Sequence, residues 1–278
     1  MKDLYSFDKR LVAAQQSYQL FSDVYWRIFQ RLDLPVMRVQ AASGAMGGSH
    51  SHEFHLDCTA GQDYIWHCSA CRLGFSHELI ANQTDESVSP LCPNCNSALQ
   101  KHRTLELAHT FLLGQRYSKP LGAAFISANA SQRRLVEMGC YGIGVTRLLA
   151  SLVDHFAPSS RCMLWHPRIA PYLICIIGPK LGSREYDSLN RLCSDMAENV
   201  AQLAPNGVLL DDRQKLTVGR RLDDARRLGW PIIVVVNKLA MEDIPRFEVT
   251  NLWTKTSLQL THAELFDYIR REVKAFEF

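Results

Sequence analysis

The sequence predicts an α+β domain built on an antiparallel sheet, followed by an α/β domain. In the first part of the chain, strand-like segments flank helices without regular alternation, which favours an antiparallel sheet. In the second part, continuous apolar segments alternate with amphipathic helices, which is typical of a largely parallel sheet covered on both faces. Residues 155–171 have the proline and serine content of a linker. We therefore assign residues 1–160 and 168–278 to the two domains.

The first domain is expected to begin with a long amphipathic helix at residues 8–32. Its apolar side chains recur at helical spacing, and they are Leu11, Ala14, Tyr18, Phe21, Tyr25 and Ile28. Strand-like segments follow at 36–42 and 52–58, with three glycines between them. A cysteine-rich insert occupies about residues 58–100, and a further strand is expected at 105–114.

The stretch EMGCYGIGVTRLLAS, residues 137–151, predicts a strand, a tight Gly-x-Gly turn and a buried helix. The predicted buried face comprises Val145, Leu148, Leu149, Leu152 and Phe156. Gly142 and Gly144 would let the backbone approach a ligand, and the helix N-terminus offers N–H groups to an anion. Arg147, in the first turn, could hold phosphate oxygens in a fork or stack on a base. A helix cap with a surface arginine explains this short pattern equally well.

The second domain is expected to run β-α-β-α-β before a hairpin and a last helix. The strands are expected at 172–178, 208–212 and 231–236, and the helices at 183–204 and 218–229. The hairpin would use residues 247–253 and 257–261. Thr261 and Glu264 have the spacing of a capping box, which opens a helix.

Composition describes an ordinary globular protein, with 47% hydrophobic and 21% charged residues. The net charge of +3 is too small to indicate nucleic acid, but basic residues are concentrated at 213–227. A solvated helix face and an RNA-binding face are both consistent with that cluster. No apolar run reaches the roughly 18 residues that span a bilayer, so no contact with a membrane is expected.

Nine cysteines, five of them scattered singly, favour a reducing compartment. The other four form two C-x-x-C pairs, Cys68 with Cys71 and Cys92 with Cys95, separated by twenty residues. Four thiolates at this spacing can converge on a structural Zn²⁺. The alternative is a pair of reduced hairpin cysteines without metal.

Five segments, in the same order, resemble the prolyl-tRNA synthetases of bacteria and mitochondria, which are class II aminoacyl-tRNA synthetases. MGCYGIGVTRLLA is similar to the third signature motif of that class, and MKDLYSFD at 1–8 to the stretch after motif 2. GAMGGSHSHEF at 44–54 resembles the glycine-rich strand, and LAHTFLLGQRYS at 107–118 resembles the GHxFxLGxKYS segment, with Ala108 in place of glycine. Residues 208–238 resemble the anticodon-binding domain. Motif 1 and the motif 2 arginine would precede residue 1.

The resemblance implies a class II catalytic core that joins proline to ATP with Mg²⁺ and passes the prolyl group to tRNA(Pro). It implies that Arg147 and Glu53 are catalytic, and that Gly142, Gly144, Arg147 and Glu137 bind ATP. The proline pocket would comprise His109, Phe111, His52 and Cys140. Ser51, His52 and Glu53 together offer a hydroxyl, an imidazole and a carboxylate to a substrate amine or to Mg²⁺. Each histidine could equally be a hydrogen-bonded core residue.

The resemblance also implies that the second domain reads the anticodon. The candidate residues lie at a strand exit and in the following helix, and they are Asp211, Asp212, Arg213, Arg220 and Arg221. A homodimer and a location in the mitochondrial matrix are implied for the full-length family member. The first rival hypothesis is a non-catalytic tRNA-binding relative, and the second is a zinc-ribbon nucleic-acid module joined to an unrelated α/β domain.

Overall fold

The computed structural model describes residues 1–81, 89–126 and 132–276. The chain divides into two compact units, residues 1–150 and 151–278, called here the first and second units. This division lies before the segment 155–171 that was predicted to link two domains. The assignment of domains to residues 1–160 and 168–278 stays a prediction, and residues 82–88 of the predicted insert lie outside the described residues.

The first unit contains nine strands and four helices in its described part. The strands are β1 (Lys2–Asp8), β2 (Val36–Gln40), β3 (His50–Asp57), β4 (Asp63–His67), β5 (Gly74–Ser76), β6 (Gln100–Gly114), β7 (Ala124–Ile126), β8 (Arg133–Leu135) and β9 (Glu137–Ile143). The helices are α1 (Leu11–Arg31), α2 (His77–Ala81), α3 (Ser118–Leu121) and α4 (Val145–Phe156), whose last turns belong to the second unit.

Seven of these strands form one sheet in the order β1-β9-β6-β3-β2-β5-β4. All neighbours are antiparallel except β2 and β5, which pair in parallel over two residue pairs. The long strand β6 pairs with β4 over residues 100–104 and with β3 from residue 104 onward. Strands β6, β3, β2, β5 and β4 therefore close into a ring, so the cysteine-rich insert folds back onto the sheet that it interrupts.

Helix α1 covers one face of this sheet, as its amphipathic pattern predicts. Tyr25 and Phe29 pack against Phe54 on β3, with ring centroids 5.8 and 5.6 Å apart. Phe21 packs against Tyr141 on β9 at 4.5 Å. Since alternate strand residues point to opposite faces, the neighbours of Phe54 and Tyr141 along their strands point away from α1.

Helix α4 begins where it was predicted, but its apolar face is not uniformly buried. The Leu148 amide donates to the Gly144 carbonyl at 2.7 Å, which closes the first turn. Leu152 is buried, whereas Val145 and Leu149 are 49% and 45% exposed. The prediction of a helix is confirmed, and the prediction that Val145 and Leu149 are buried is wrong.

The second unit has a five-stranded sheet in the order β11-β10-β12-β13-β14. Its strands are β10 (Ile174–Ile177), β11 (Val208–Asp211), β12 (Ile232–Val235), β13 (Arg246–Asn251) and β14 (Thr256–Thr261). Its helices are α5 (Tyr186–Leu203), α6 (Val218–Leu228) and α7 (His262–Phe276). Strand β10 is parallel to both β11 and β12, and the last two strands form the predicted antiparallel hairpin.

Both faces of the central strands are buried, which explains their continuous apolar sequences. Ile174 and Ile176 belong to the cluster that contains Leu189 of α5, whereas Cys175 and Ile177 pack in the cluster that contains Ala225 of α6. The α+β and α/β classes predicted for the two parts are thus confirmed.

Helix α7 starts with the predicted capping box. The Thr261 amide donates to Glu264 Oε2 at 2.9 Å, and the Glu264 amide donates to Thr261 Oγ1 at 3.5 Å. Among the described residues, no helix combines the length and the apolarity that crossing a membrane requires.

Candidate active site and metal centre

Two rows of residues cross four strands on the sheet face that points away from α1, which is called here the His109 face. Strand pairing aligns Asp3, Gly142, His109 and Glu53 in the first row. The same pairing aligns Tyr5, Cys140, Phe111 and Ser51 in the second. Residues opposite each other on paired strands share a face, so the fold brings together candidate residues from four separate parts of the sequence.

The imidazole of His109 is held on both nitrogens. Its Nε2 lies 2.6 Å from Ser51 Oγ, while Nδ1 lies 3.3 Å from Glu106 Oε1 and 3.6 Å from Glu53 Oε1. The ring stacks on Phe111, with centroids 3.8 Å apart and planes tilted by 21°. With carboxylates at Nδ1, this nitrogen carries the proton and Nε2 accepts from the Ser51 hydroxyl. The histidine therefore has one defined orientation beside an aromatic surface.

Glu106 is a residue of this site that the sequence pattern did not identify. Its carboxylate contacts His109, and its carbonyl accepts from Arg147 Nη1 at 2.6 Å, with Oε2 3.8 Å from the same nitrogen. The hydrogen bond with His109 and the charge of Arg147 help to keep the pKa of Glu106 below its usual value. Glu106 thus links the candidate ATP-binding arginine to the candidate pocket histidine.

A bulge explains why the pattern missed Glu106. Residues three apart on a regular strand point to opposite faces, so Glu106 and His109 would be separated. The pairing of β3 with β6 shifts register between Phe54 and His55, which opposes His55 to Glu106 and leaves Leu107 unpaired. This extra residue turns Glu106 onto the His109 face.

The Gly-x-Gly segment provides space rather than an unusual backbone. Neither Gly142 nor Gly144 has a positive φ angle, so the chain passes from β9 into α4 without a left-handed residue. A Cβ at Gly142 would lie 3.1 Å from Asp3 Oδ1, and one at Gly144 would lie 3.3 Å from Arg147 Cβ. Because Gly142 has no side chain, the surface beside His109 stays open. Gly144 leaves space for the Arg147 side chain.

Glu137 lies at the other end of β9 from Gly142, about 16 Å along the strand at its usual rise per residue. There its Oε1 accepts from Gln115 Nε2 at 2.7 Å. Glu137 opposes Asp8, whose carboxylate accepts from Ser17 of α1 at 3.1 Å. It therefore lies on the face that α1 covers, which corrects its predicted grouping with Gly142 and Arg147. Cys140, by contrast, lies on the His109 face, where burial raises the pKa of its thiol.

His52 does not lie with His109, which corrects the predicted grouping. It pairs with Thr110 across β3 and β6, and its Nδ1 lies 2.6 Å from the hydroxyl of Tyr18 on α1. It therefore occupies the opposite face of the sheet. Burial, and then the charge of Arg38, lower the pKa of His52 from 6.5 to about 4.

We expect the buried His52 to make the fold less stable in mild acid. Because its folded pKa lies below that of the unfolded chain, unfolding takes up a proton between about pH 6.5 and 4, and stability falls as the pH falls through that window. A proton NMR titration should show one imidazole that stays neutral down to about pH 4. His52→Gln should remove that resonance, whereas His50→Gln, at an exposed position of the same strand, should leave it. A midpoint near 6.5 for His52 would contradict the expectation.

The four paired cysteines converge at one point. Their sulfur atoms all lie within 4.8 Å of one another, with Cys68 to Cys95 and Cys71 to Cys92 both at 3.5 Å. A tetrahedral Zn²⁺ with bonds of about 2.3 Å requires sulfur atoms about 3.8 Å apart. The donor set and its spacing therefore fit zinc.

The backbone around these cysteines forms two equivalent knuckles. In the first, the Arg72 amide donates to the Cys68 carbonyl and the Cys68 amide to the Leu73 carbonyl, both at 2.8 Å. In the second, Asn96 donates to Cys92 at 2.9 Å and Cys92 to Ser97 at 2.8 Å. Arg72 and Asn96, at equivalent positions, have positive φ angles of 60° and 58°. This repeated geometry orients both cysteines of each pair toward a shared centre.

Two arginines of the basic cluster in the second unit, Arg213 and Arg220, are paired with carboxylates. Arg213 bonds Asp211 at 2.7 Å and Asp224 at 3.0 Å, and these partners raise its pKa. Arg220 lies 3.4 Å from Asp224. Asp212 is exposed at the mouth of a small surface hollow that Lys215 also lines.

Arg221 is fully buried, so its predicted contact with an anticodon is wrong. Its guanidinium donates to three carbonyl oxygens, those of Gly178 at 2.6 Å, Pro179 at 3.2 Å and Asp211 at 3.1 Å. These carbonyls lie at the exits of β10 and β11. The arginine therefore ties two strand ends together inside the unit.

We expect Arg221→Ala to lower the free energy of unfolding of the second unit by about 3 kcal/mol, because it leaves three buried carbonyls without a donor. Arg220→Ala, the matched change at the preceding exposed residue, should cost less than about 1 kcal/mol. Denaturant unfolding of both variants measures the difference. Equal losses would show that Arg221 does not hold the strand exits.

Comparison with known proteins gives a consistent result for both units. A family model described as the anticodon binding domain matches residues 174–272. A probable mitochondrial proline–tRNA ligase of Rattus norvegicus is 41% identical over 252 residues, which are 90% of this chain and 51% of that protein. A proline–tRNA ligase of Ehrlichia ruminantium is 33% identical over 281 residues, 98% of this chain and 63% of that protein. The chain spans about half the length of the mammalian relatives that it matches.

Proposed function

The chain belongs to the prolyl-tRNA synthetase family, and from that premise we propose that it functions as a proline–tRNA ligase. Such an enzyme activates proline with ATP and transfers it to tRNA(Pro). The observation that carries this proposal is the contact chain from Arg147 through Glu106 to His109 on one sheet face. This contact chain joins a guanidinium suited to phosphate, that of Arg147, to the oriented imidazole of His109 beside the ring of Phe111. A reaction between ATP and proline needs a cation for the phosphates and an apolar wall for the amino acid.

The first unit would act mainly by positioning and by charge. Arg147 would hold ATP phosphate oxygens, and Gly142 and Gly144 would leave room for the nucleotide. In ATP sites, Mg²⁺ is bound by phosphate oxygens and by one or two protein carboxylates. We propose that Glu53 is the carboxylate that binds Mg²⁺. Because Glu137 lies on the face that α1 covers, we leave it out of the ATP site.

Proline would bind in the second row and against His109. Phe111 offers its ring to the pyrrolidine, and Cys140 closes the floor between Phe111 and Tyr5. His109, oriented by Ser51 and Glu106, would form one wall of the pocket beside Phe111. Because His52 faces α1, we leave it out of this pocket.

The second unit would bind the anticodon of tRNA(Pro), which its match to the anticodon binding domain supports. Asp212, Arg213 and Arg220 remain candidates for base contacts, since they lie at the surface beside the exit of β11. Names of mammalian relatives support a location in mitochondria, and we propose the matrix. A homodimer is proposed for the complete protein.

The cysteine cluster would hold a structural Zn²⁺. Its ligands would be Cys68, Cys71, Cys92 and Cys95, whose spacing fits the ion. The ion would supply the stability that the small apolar core of the insert lacks.

Proline-dependent exchange of pyrophosphate into ATP tests the proposed activation step. It should be measured with this chain and with the chain completed by the segment through which its relatives extend beyond it. Proline should support exchange, threonine should not, and the completed protein should charge tRNA(Pro). If neither form exchanges pyrophosphate yet both bind tRNA(Pro), the proposal is wrong and a non-catalytic tRNA-binding role replaces it.

A further inference from the structure

A cavity in the first unit lies beside the face of the sheet that α1 covers. It measures about 880 Å³ and lies between α1, strand β2 and the cysteine knuckle. The side chains that matter here are those of Trp26, Arg38 and Arg72. This cavity is called here the knuckle cleft. Its volume is in the range of small-molecule and cofactor sites.

The ring closure of the sheet creates this cleft. Strands β2 and β5 pair over only two residue pairs, while β4 turns away to pair with β6. A Cβ at Gly74 would lie 2.5 Å from Val39 Cγ1, so the two strands meet closely there. The sheet opens beyond that junction, and α1 covers the opening from one side. The cleft therefore depends on the insert and not on the proposed active site.

The charges that line the knuckle cleft favour an anion. Within the described ranges, neither Arg38 nor Arg72 has a carboxylate at salt-bridge distance, and Arg38 donates only to Ser22 Oγ at 3.1 Å. Asp23 is the single acidic side chain among the lining residues described, and it already accepts from Gln19 at 2.8 Å. Guanidinium groups without carboxylate partners are suited to phosphate oxygens.

The other lining side chains indicate which kind of molecule the phosphate belongs to. Trp26, 38% exposed, offers an indole on which a base can stack. A single strand of nucleic acid combines such a base with phosphates at regular spacing along its backbone.

We propose that the knuckle cleft binds a single-stranded nucleic acid segment, with phosphates on Arg38 and Arg72 and a base on Trp26. The site goes beyond the proposed ligase function, because it uses none of the residues of the His109 face. Two arginines, one on β2 and one in the first cysteine knuckle, together with an indole, offer more contacts than one free phosphate could use.

Fluorescence anisotropy of labelled octauridylate with the whole chain tests this inference. Arg38→Gln and Arg72→Gln should each weaken binding about fivefold to tenfold. Each should also reduce the slope of log K against log salt by about 0.7, the value for one phosphate contact on a single strand. Arg10→Gln, at an exposed position outside the cleft, should change neither quantity.

The outcomes separate this proposal from its rivals. Unchanged affinity and unchanged salt slope in both arginine variants would overturn the proposal. Because the Arg38 side chain is exposed, Arg38→Gln should leave the fold intact, so its effect on binding can be read directly. If uridine monophosphate bound as tightly as octauridylate, with the same sensitivity to both variants, the cleft would be a mononucleotide site and the inference of a single-strand site would be wrong. Because the assay needs no catalytic turnover, its result does not depend on the ligase proposal.

Discussion

Arg147→Ala lowers the rate of proline-dependent ATP–pyrophosphate exchange about 10²–10³-fold, the loss that follows removal of one preorganised donor from a transition state. The reason is geometric. Arg147 is anchored at 2.6 Å to the Glu106 carbonyl, so its guanidinium needs no reorganisation when phosphate charge develops. The assay is steady-state exchange at saturating proline, with the protein completed to the length of its relatives.

Two variants make this expectation specific. Arg147→Lys keeps the charge but loses the fork, so it should recover only a small part of the rate. Arg27→Ala, on the exposed side of α1, should leave exchange unchanged. Exchange at the unsubstituted rate in Arg147→Ala would remove this arginine from the ATP site. The remaining assignments on the His109 face would then have to be tested without it.

Cys68→Ser abolishes zinc binding and unfolds the insert. The chain should contain one equivalent of zinc, measured by inductively coupled plasma mass spectrometry, and the variant should contain almost none. Cys68 is fully buried and belongs to one of the two knuckles, so no neighbouring thiol can replace it. Because ion binding contributes roughly 10 kcal/mol or more to folding in small zinc modules, losing the ion should leave residues 58–100 open to proteases.

Cys58→Ser is the matched control for this experiment. Cys58 is a cysteine of the first unit that lies outside the cluster. Its replacement should retain the full equivalent of zinc and the resistance of the insert to trypsin. A chain that takes up no zinc after refolding with the metal would show that the four thiols are a reduced cluster without an ion.

Local patterns in the sequence were sufficient for the elements and for the cysteine centre. Apolar spacing located α1 and α5, the capping box located the start of α7, and continuous apolar runs located β10 and β12. These features depend on neighbours a few residues apart, where side-chain periodicity is set by the backbone itself. The cysteine pairs are equally local, since each knuckle is closed by hydrogen bonds within six residues.

The active-site grouping was only partly predictable. His109 and Phe111 were correctly placed on one face, because two residues on one strand are related by its period alone. His52 was grouped with them wrongly, because no local pattern relates the faces of two different strands. That relation depends on the register of β3 against β6, which opposes His52 to Thr110.

What the sequence by itself determined is therefore the fold class, the order of helices and strands, the cysteine set and the family resemblance. The tertiary structure alone decided that Glu106 joins His109 through a bulge, that Arg221 is buried on three carbonyls, and that the insert closes a ring around a basic cleft. Each of these depends on pairing between distant segments. Such pairing is selected by the packing of the whole sheet, and no short stretch of sequence encodes it.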